Sequence, residues 1–433
     1  MRTAIETPTQ QAVSWPGSPA LPRLRAARWE SAFVVIATVM LATNIAEILL
    51  SRGPAAGSYA VQVRASFMLI YLVAGVLLLR WRSTLPTLLT SAPLLLAVLA
   101  MPAASIAWSI DRGESIERVV AMVGTSLFGI YLGLRFTLGR MVFLLAVGLA
   151  IAAVLGIAVI FAVPSIGIAQ DGPWAGTWIG FNFHKNGLGA AAALGCILIG
   201  YAITDSRGKT RLLLVAAFML AAVLLIGSSS TTALIGAASA GLLTGWTRMA
   251  QRLPREGPVL SLLIGFGLVT AVVGFVGMGF VEATLNTLGK RSDLSSRVPI
   301  WEIVWTHIQQ RYWLGYGFEA FWTPGNPATG QIERELYFLP FYSHNGLLET
   351  WLNGGIVLVA AVAAMLAATI LRAARLAFRW RDLPVAAFPL AYCLYFATMN
   401  FAESSILSRN SLTWALMVAV TTFTAKWAKA RAP

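Results

Sequence analysis

Charge is what this sequence has least of. Of its 433 residues, 12% are Asp, Glu, Lys or Arg and 58% are hydrophobic, against about 25% charged in a typical soluble domain. That scarcity excludes a water-soluble globule. Cysteine is almost as rare: Cys196 and Cys393 each lie inside an apolar run. They offer neither a disulfide framework nor a metal-ligand spacing. No paired-Asp motif suggests a divalent cation, so no metal and no cofactor are expected. Histidine occurs three times, at His184, His307 and His344, and each occurrence is therefore worth weighing.

What is plentiful is apolar sequence in lengths suited to a bilayer. Segments of about 17–25 apolar residues, enough to cross ~30 Å of hydrocarbon, recur at roughly 31–50, 65–80, 85–106, 118–136, 141–163, 187–204, 211–228, 232–248, 259–280, 347–371, 384–400 and 411–427. In hydrocarbon every backbone polar group must be satisfied within the span, which requires helices. The expected fold is an all-α integral membrane protein of about twelve transmembrane helices. The first run lacks an obvious small-residue cleavage site and reads as a retained helix.

The net charge of +14 would suggest nucleic acid in a soluble protein. Here it records topology. With the N-terminus cytoplasmic, 21 of the 32 Lys and Arg fall inside, in clusters such as Arg23, Arg25 and Arg28 or Arg372, Arg375, Arg379 and Arg381, whereas about 5 of the 18 acids do. This is the positive-inside asymmetry; both termini are expected in the cytoplasm, and nucleic acid is not implied. The domain reading is a cytoplasmic tail over 1–29, a polytopic region over 30–428, and a short tail over 429–433. Within the polytopic region two long outer loops are expected, at 164–186 and 281–346. Long ordered loops tend to carry function, so the working face is expected outside.

Polar residues collect on that face. The stretch "FNFHKNGLG" holds His184, Lys185 and Asn186 at the edge of an apolar run. In the second loop, Ser296 to Arg311 shows helical punctuation, with Pro299 in the first turn. Ile300, Ile303, Val304 and Ile308 share one face with Trp301 and Trp305 beside them, an amphipathic helix for the outer leaflet. Then "SHNGLLETWLNGGIVL" opens the tenth span, with His344 beside Asn345 and Ser343, both able to orient its imidazole. Histidine suits proton transfer near neutral pH; a helix-cap residue at a headgroup is the alternative. For His307 a structural place at the interface is favoured. Lys185, Arg291 and Arg297 flank the two polar motifs and suit a phosphate or diphosphate, with snorkelling to headgroups as the alternative. Asp111, Glu114 and Glu117 read best as first-turn acids of a helix.

Five stretches in order, "FHKNGLG", "GSSSTTALIG", "SSRVPIWEIVWTHIQQRYWLGYGFEAFW", "SHNGLLETWLNGGIVL" and "NFAESSILSRN", resemble the O-antigen ligase and polysaccharide polymerase family. The "HKN" form is most similar to its exopolysaccharide-polymerase branch. The resemblance covers about residues 100–425. It implies a membrane glycosyltransferase of GT-C-like architecture in the bacterial inner membrane, metal-independent and inverting, with a periplasmic active face. It further implies a glycan donor on undecaprenyl diphosphate, and a growing glycan or lipid A core as acceptor. Membrane lipids, a flippase and a chain-length regulator would be its partners. His344 would be the general base and Arg297 a diphosphate ligand, with Arg291, His184, Asn186 and Asn345 in the same site. One departure stands out. Where many members carry Arg or Lys before the eighth span, this chain has Thr231; Lys185 is expected to stand in.

Three readings follow: a polymerase of lipid-linked repeats, favoured by "HKN"; a ligase onto another acceptor; and a transporter of polysaccharide or small solutes. A transporter calls for inverted repeats and mid-membrane charge. Only Glu349 is of that kind, and a helix-to-loop hydrogen bond to the outer motif explains it as readily.

Overall fold

The computed structural model describes residues 28–50, 56–80, 85–252, 264–267, 297–323, 326–336 and 340–429. Most of the expected 259–280 span, the loop from 281 to 296 that includes Arg291, and both expected tails apart from Arg28, Trp29 and Lys429 lie outside them. Among the described residues the protein is helical, with no sheet beyond one antiparallel bridge between Ile168 and Trp178.

The helices run α1 (Arg28–Ala42), α2 (Ile45–Leu50), α3 (Ala56–Arg80), α4 (Leu85–Ser91), α5 (Pro93–Ser105), α6 (Arg112–Arg135), α7 (Leu138–Ala162), α8 (Pro164–Gly167), α9 (Lys185–Thr204), α10 (Gly208–Gly227) and α11 (Thr231–Ala250), followed by α12 (Val298–Gln310), α13 (Pro327–Leu336), α14 (Gly346–Arg379), α15 (Phe388–Ala402) and α16 (Leu412–Lys429). Seven stretches are long and apolar enough to cross a membrane: Val61–Arg80, Arg112–Arg135, Leu138–Ala162, Lys185–Thr204, Gly208–Gly227, Gly346–Arg379 and Pro384–Ala402. Against the expected twelve, the described residues hold seven such helices.

Two of the expected spans are broken, for local reasons. In 31–50 the chain leaves α1 at Thr43, whose hydroxyl donates to the Val39 carbonyl (2.8 Å) while Asn44 Nδ2 donates to Glu47 Oε2 (2.9 Å). These side-chain bonds compete with the helical ladder. In 85–106 the break is at Ala92 (φ −127°), ahead of Pro93, which has no N–H to continue the previous helix.

Small residues set how the helices pack. A Cβ at Gly129 of α6 would lie 2.3 Å from the Ala415 carbonyl, and one at Gly133 would lie 2.6 Å from that of Ala419. Helices in lipid approach closely where such residues allow it, and α16 is drawn against α6.

The most consequential irregularity is inside α14. Gly354 and Gly355 leave helical geometry, Gly355 with φ +68°, a conformation open to glycine. The loop after α12 fills the gap. Tyr316 N–H donates to the Leu352 carbonyl at 2.7 Å, and Ile356 N–H donates to the Tyr312 carbonyl at 2.9 Å. The indoles of Trp351 and Trp108 donate to the carbonyls of Tyr312 and Leu314, each at 2.9 Å. Backbone groups orphaned by the kink are therefore satisfied by the loop, as burial demands, and the N-terminal part of α14 is tied to the amphipathic helix α12.

Candidate functional site

The N-terminal end of α14 is preceded by a strap, Tyr342–Ser343–His344, whose shape is set by a buried acid. Glu349, one turn into α14, accepts from the Ser343 N–H (2.8 Å) and from the Trp322 indole (3.1 Å). This is the helix-to-loop bond that competed with a transporter role for Glu349. Asn345 caps α14: its Oδ1 accepts from the N–H groups of Leu347 (3.0 Å) and Leu348 (3.1 Å), and its Nδ2 donates to the Phe401 carbonyl at 3.3 Å. Its amide is therefore committed to backbone. Ser343 Oγ likewise donates to the Asn345 carbonyl at 2.9 Å. Neither residue bonds the imidazole of His344.

What meets the imidazole is Glu403, at the C-terminal end of α15. Its Oε2 lies 3.7 Å from His344 Nδ1 and accepts from the Tyr342 hydroxyl at 3.0 Å. Its Oε1 accepts from Asn186 Nδ2 at 2.6 Å and from Arg297 Nη2 at 2.9 Å. One carboxylate, 8% exposed, thus gathers residues from three other segments of the chain. Burial alone would raise its pKa. The imidazole of His344, the Arg297 guanidinium and the Tyr342 hydroxyl outweigh that and hold it below the ordinary 4.5, so it stays ionised. Tyr342, buried against the same anion, is pushed well above its usual range and stays a donor.

His344 occupies the left-handed region at φ +52°, a costly geometry for a non-glycine residue that persists only where its surroundings impose it. The bonds of Ser343 on one side and the α14 cap on the other impose it. The Tyr342 ring lies 4.2 Å from the imidazole, centroid to centroid. Nδ1 is turned inward to the carboxylate, which leaves Nε2 to point away from it.

The second cation face comes from α9. His184 is its N-cap: Nδ1 accepts from the Asn186 N–H at 3.2 Å, which requires the neutral ring with its proton on Nε2. Burial lowers the His184 pKa, Glu403 opposes, and the positive charges of Lys185 and Arg297 add to the lowering. Lys185 is 5% exposed, with Nζ 4.0 Å from the centre of the Trp174 ring. Trp174 also meets His184 edge-on at 5.5 Å. The loop of Trp174 is itself a tight hairpin, closed by the Gly176 N–H to the Ala169 carbonyl (2.8 Å) and the Ile179 N–H to the Gly167 carbonyl (2.9 Å).

Among the described residues, then, the structure brings together His344, Arg297, His184, Lys185 and Asn186. Asn345 adjoins them as a cap. Arg297 is 6% exposed, and its Nη1 has no hydrogen-bond partner in the described structure. A buried, unpaired donor on a cation is costly and marks where an anion would be welcome. Among the described residues no group of three or more His, Cys, Asp or Glu is placed to hold a metal ion. Glu403 and Tyr342 are the residues that sequence reasoning missed. Glu403 lies in "NFAESSILSRN", yet a lone acid after an apolar run has no spacing to announce it.

The remaining candidates lie elsewhere. His307 is buried against Phe321, 5.3 Å between ring centres, in the apolar face of α12. Asp111 caps α6 by accepting from the Glu114 N–H at 3.1 Å. Glu114 pairs with Arg118 at 2.9 Å and Glu117 with Arg64 at 3.0 Å. Thr231 opens α11 after a turn in which Ser230 makes no capping bond.

A family model described as O-antigen ligase matches residues 216–363, a range holding Arg297, His344 and Glu349 and stopping short of Glu403. The chain is also 26% identical over 194 residues to the exopolysaccharide production protein ExoQ of Rhizobium meliloti, covering 43% of this chain and 44% of that protein. The matched region is less than half of the relative's length.

Proposed function

We propose that this chain, which is similar to the O-antigen ligase family over residues 216–363 and to an exopolysaccharide production protein, joins lipid-linked glycan units into an exopolysaccharide or O-antigen at the periplasmic face of the inner membrane. The observation that carries the reading is the convergence on Glu403 of a histidine and an arginine, both at the outer ends of helices. A hydroxyl of the acceptor sugar attacks the anomeric carbon of the donor. The bond from that carbon to the diphosphate oxygen breaks, with inversion, and the diphosphate leaves on its lipid. His344 Nε2 takes the hydroxyl proton, while Glu403 at Nδ1 holds the ring in the tautomer that leaves Nε2 basic. Arg297, through its unpaired Nη1, stabilises charge on the leaving diphosphate. Lys185 and the His184 Nε2–H lie beside it, and Lys185 takes the place of a basic residue at Thr231.

Polymerase is favoured over ligase by the relative, whose name ties it to exopolysaccharide production. The test uses the purified chain in nanodiscs with a lipid-linked oligosaccharide and no added metal, with and without lipid A core. A ladder spaced by one repeat, formed without core and abolished by His344→Ala, is the expected result. Product only with core would convert the reading to a ligase. Near-normal activity in His344→Ala would remove the base.

A further inference from the structure

The apolar face of α12, expected in the outer leaflet, is instead covered by protein: Ile300, Val304 and Ile308 pack against Phe321, Trp322 and Leu352. The side left exposed carries Glu302, Thr306 and Gln309, groups that hydrocarbon would not solvate. Among them stands Trp305, 41% exposed. Its ring meets that of Trp351 edge-on at 5.5 Å, and Trp351 meets Tyr312 at 5.1 Å. Tyr312 is itself 38% exposed. The Trp351 indole donates to the Tyr312 carbonyl at 2.9 Å, so these two rings are held in place before any ligand arrives. The group is also continuous with the Glu403 site. Arg297, Trp301 and Trp305 are four residues apart, on one side of α12. Arg297 reaches Glu403, and the Trp301 indole donates to the Ser343 carbonyl in the His344 strap at 2.9 Å. Trp305 lies ~12 Å beyond Arg297 along the axis, at 1.5 Å per residue.

We propose that Trp305, with Trp351 and Tyr312, forms a subsite for the glycan of the lipid-linked donor, several sugars away from the reacting carbon; the assignment rests on the transferase reading above. Chemistry decides the occupant. A pyranose ring has a face of C–H groups and a rim of hydroxyls, so its complement is an aromatic ring set among hydrogen-bonding side chains. Trp305 between Glu302, Thr306 and Gln309 is such a surface. Direction follows from Arg297. A diphosphate held there places the donor's first sugar at the start of α12, and the sugars beyond it extend along the side on which Trp301 and Trp305 follow. Stacking on a few rings is weak, so the subsite holds no glycan by itself. Its consequence is selection: a donor whose glycan is long enough to reach Trp305 is favoured over one that stops short.

The test uses the full chain in nanodiscs and two donors on one lipid diphosphate, the first carrying a single sugar and the second two complete repeats. Trp305→Ala is expected to raise KM for the long donor by about two- to tenfold, with kcat and the single-sugar donor unaffected. Trp305→Phe, which keeps a ring, restores most of the loss. In Trp305→Cys, a water-soluble maleimide should label position 305, and the free oligosaccharide released from the long donor should slow that labelling. An unchanged KM for the long donor in Trp305→Ala, or labelling that the oligosaccharide does not slow, overturns the subsite while transfer itself stands. Labelling that is blocked in nanodiscs and fast in detergent means that lipid covers this face, and overturns it as well. Absence of transfer by the wild-type protein from both donors overturns the reading beneath it.

Discussion

Glu403→Gln is the most exacting perturbation of this site, because it keeps volume and removes one charge. At present Oε1 takes two donors, Asn186 at 2.6 Å and Arg297 at 2.9 Å, while Oε2 faces the Tyr342 hydroxyl and His344 Nδ1. A glutamine has a single oxygen, and the two donors on one side fix it there. Its NH₂ then faces the imidazole, so Nδ1 must accept and the ring proton moves to Nε2. The nitrogen that should receive the acceptor's proton is thereby occupied. In a carboxylate–histidine pair, this change of tautomer costs about 10⁴ in kcat. The longer 3.7 Å separation here argues for the lower part of a range of about 10²–10⁴. Arg297 meanwhile loses its buried counter-charge, and breaking such a pair costs about 3–5 kcal/mol of stability, so the protein level in the membrane must be measured with the rate. The assay is glycan transfer from a lipid-linked donor in nanodiscs, normalised to folded protein, with Glu403→Asp as the companion that restores charge and tautomer. Transfer by Glu403→Gln within tenfold of wild type, at normal protein level, would refute the reasoning.

The remaining predictions probe the supports of the site. Gly355→Ala should sharply reduce folded protein by thermal-shift assay, because φ is +68° and the new Cβ would lie 2.0 Å from the Trp313 carbonyl; the φ penalty alone is about 1–2 kcal/mol. Glu349→Ala should lower kcat more than it raises KM, since the Ser343 N–H and the Trp322 indole both donate to Oε2 and would lose their buried acceptor, at about 1–3 kcal/mol. On acidification, two windows are expected in the thermal stability of the protein. The neutral His184 cap, with its pKa lowered by burial, stabilises fully above 6.5 and less as pH falls through its depressed value; His184→Asn, a good cap without a titration, should abolish that decline. The Glu403 carboxylate, also depressed, contributes fully above 4.5, and that contribution disappears only as pH falls through its lowered native value. A decline near pH 6 that survives in His184→Asn would count against the cap assignment.

Much of this is legible from residues taken one segment at a time. The helix expected after "SHN" is there, although its cap is Asn345, which was expected to orient the imidazole, and not His344. Of the three acids read as first-turn residues, Glu114 is one, while Asp111 is the N-cap ahead of it and Glu117 lies beyond the first turn. The apolar face of α12, with Ile300, Val304 and Ile308 buried, follows from its spacing. Other features were hidden by the same locality. The break at Thr43–Asn44 lies in a run apolar enough to pass for one span, and the kink at Gly354–Gly355 makes sense only with the loop that repairs it. Glu403 became visible only when Asn186, Arg297, Tyr342 and His344 were found around it.

The sequence by itself determined that this is a helical membrane protein, and that the polar motifs holding His184, Lys185 and His344 stand at the ends of apolar segments. Burial in lipid acts on each segment separately, through its own length and backbone, so it can be read without knowing the neighbours. Which segments stand side by side depends on close packing between surfaces that lipid solvates equally well. Contacts such as Gly129 against Ala415, or Gly346 against Asn400, decide it. Only that packing brought residue 403 to residues 186, 297 and 344, and with it turned four distant polar stretches into one site.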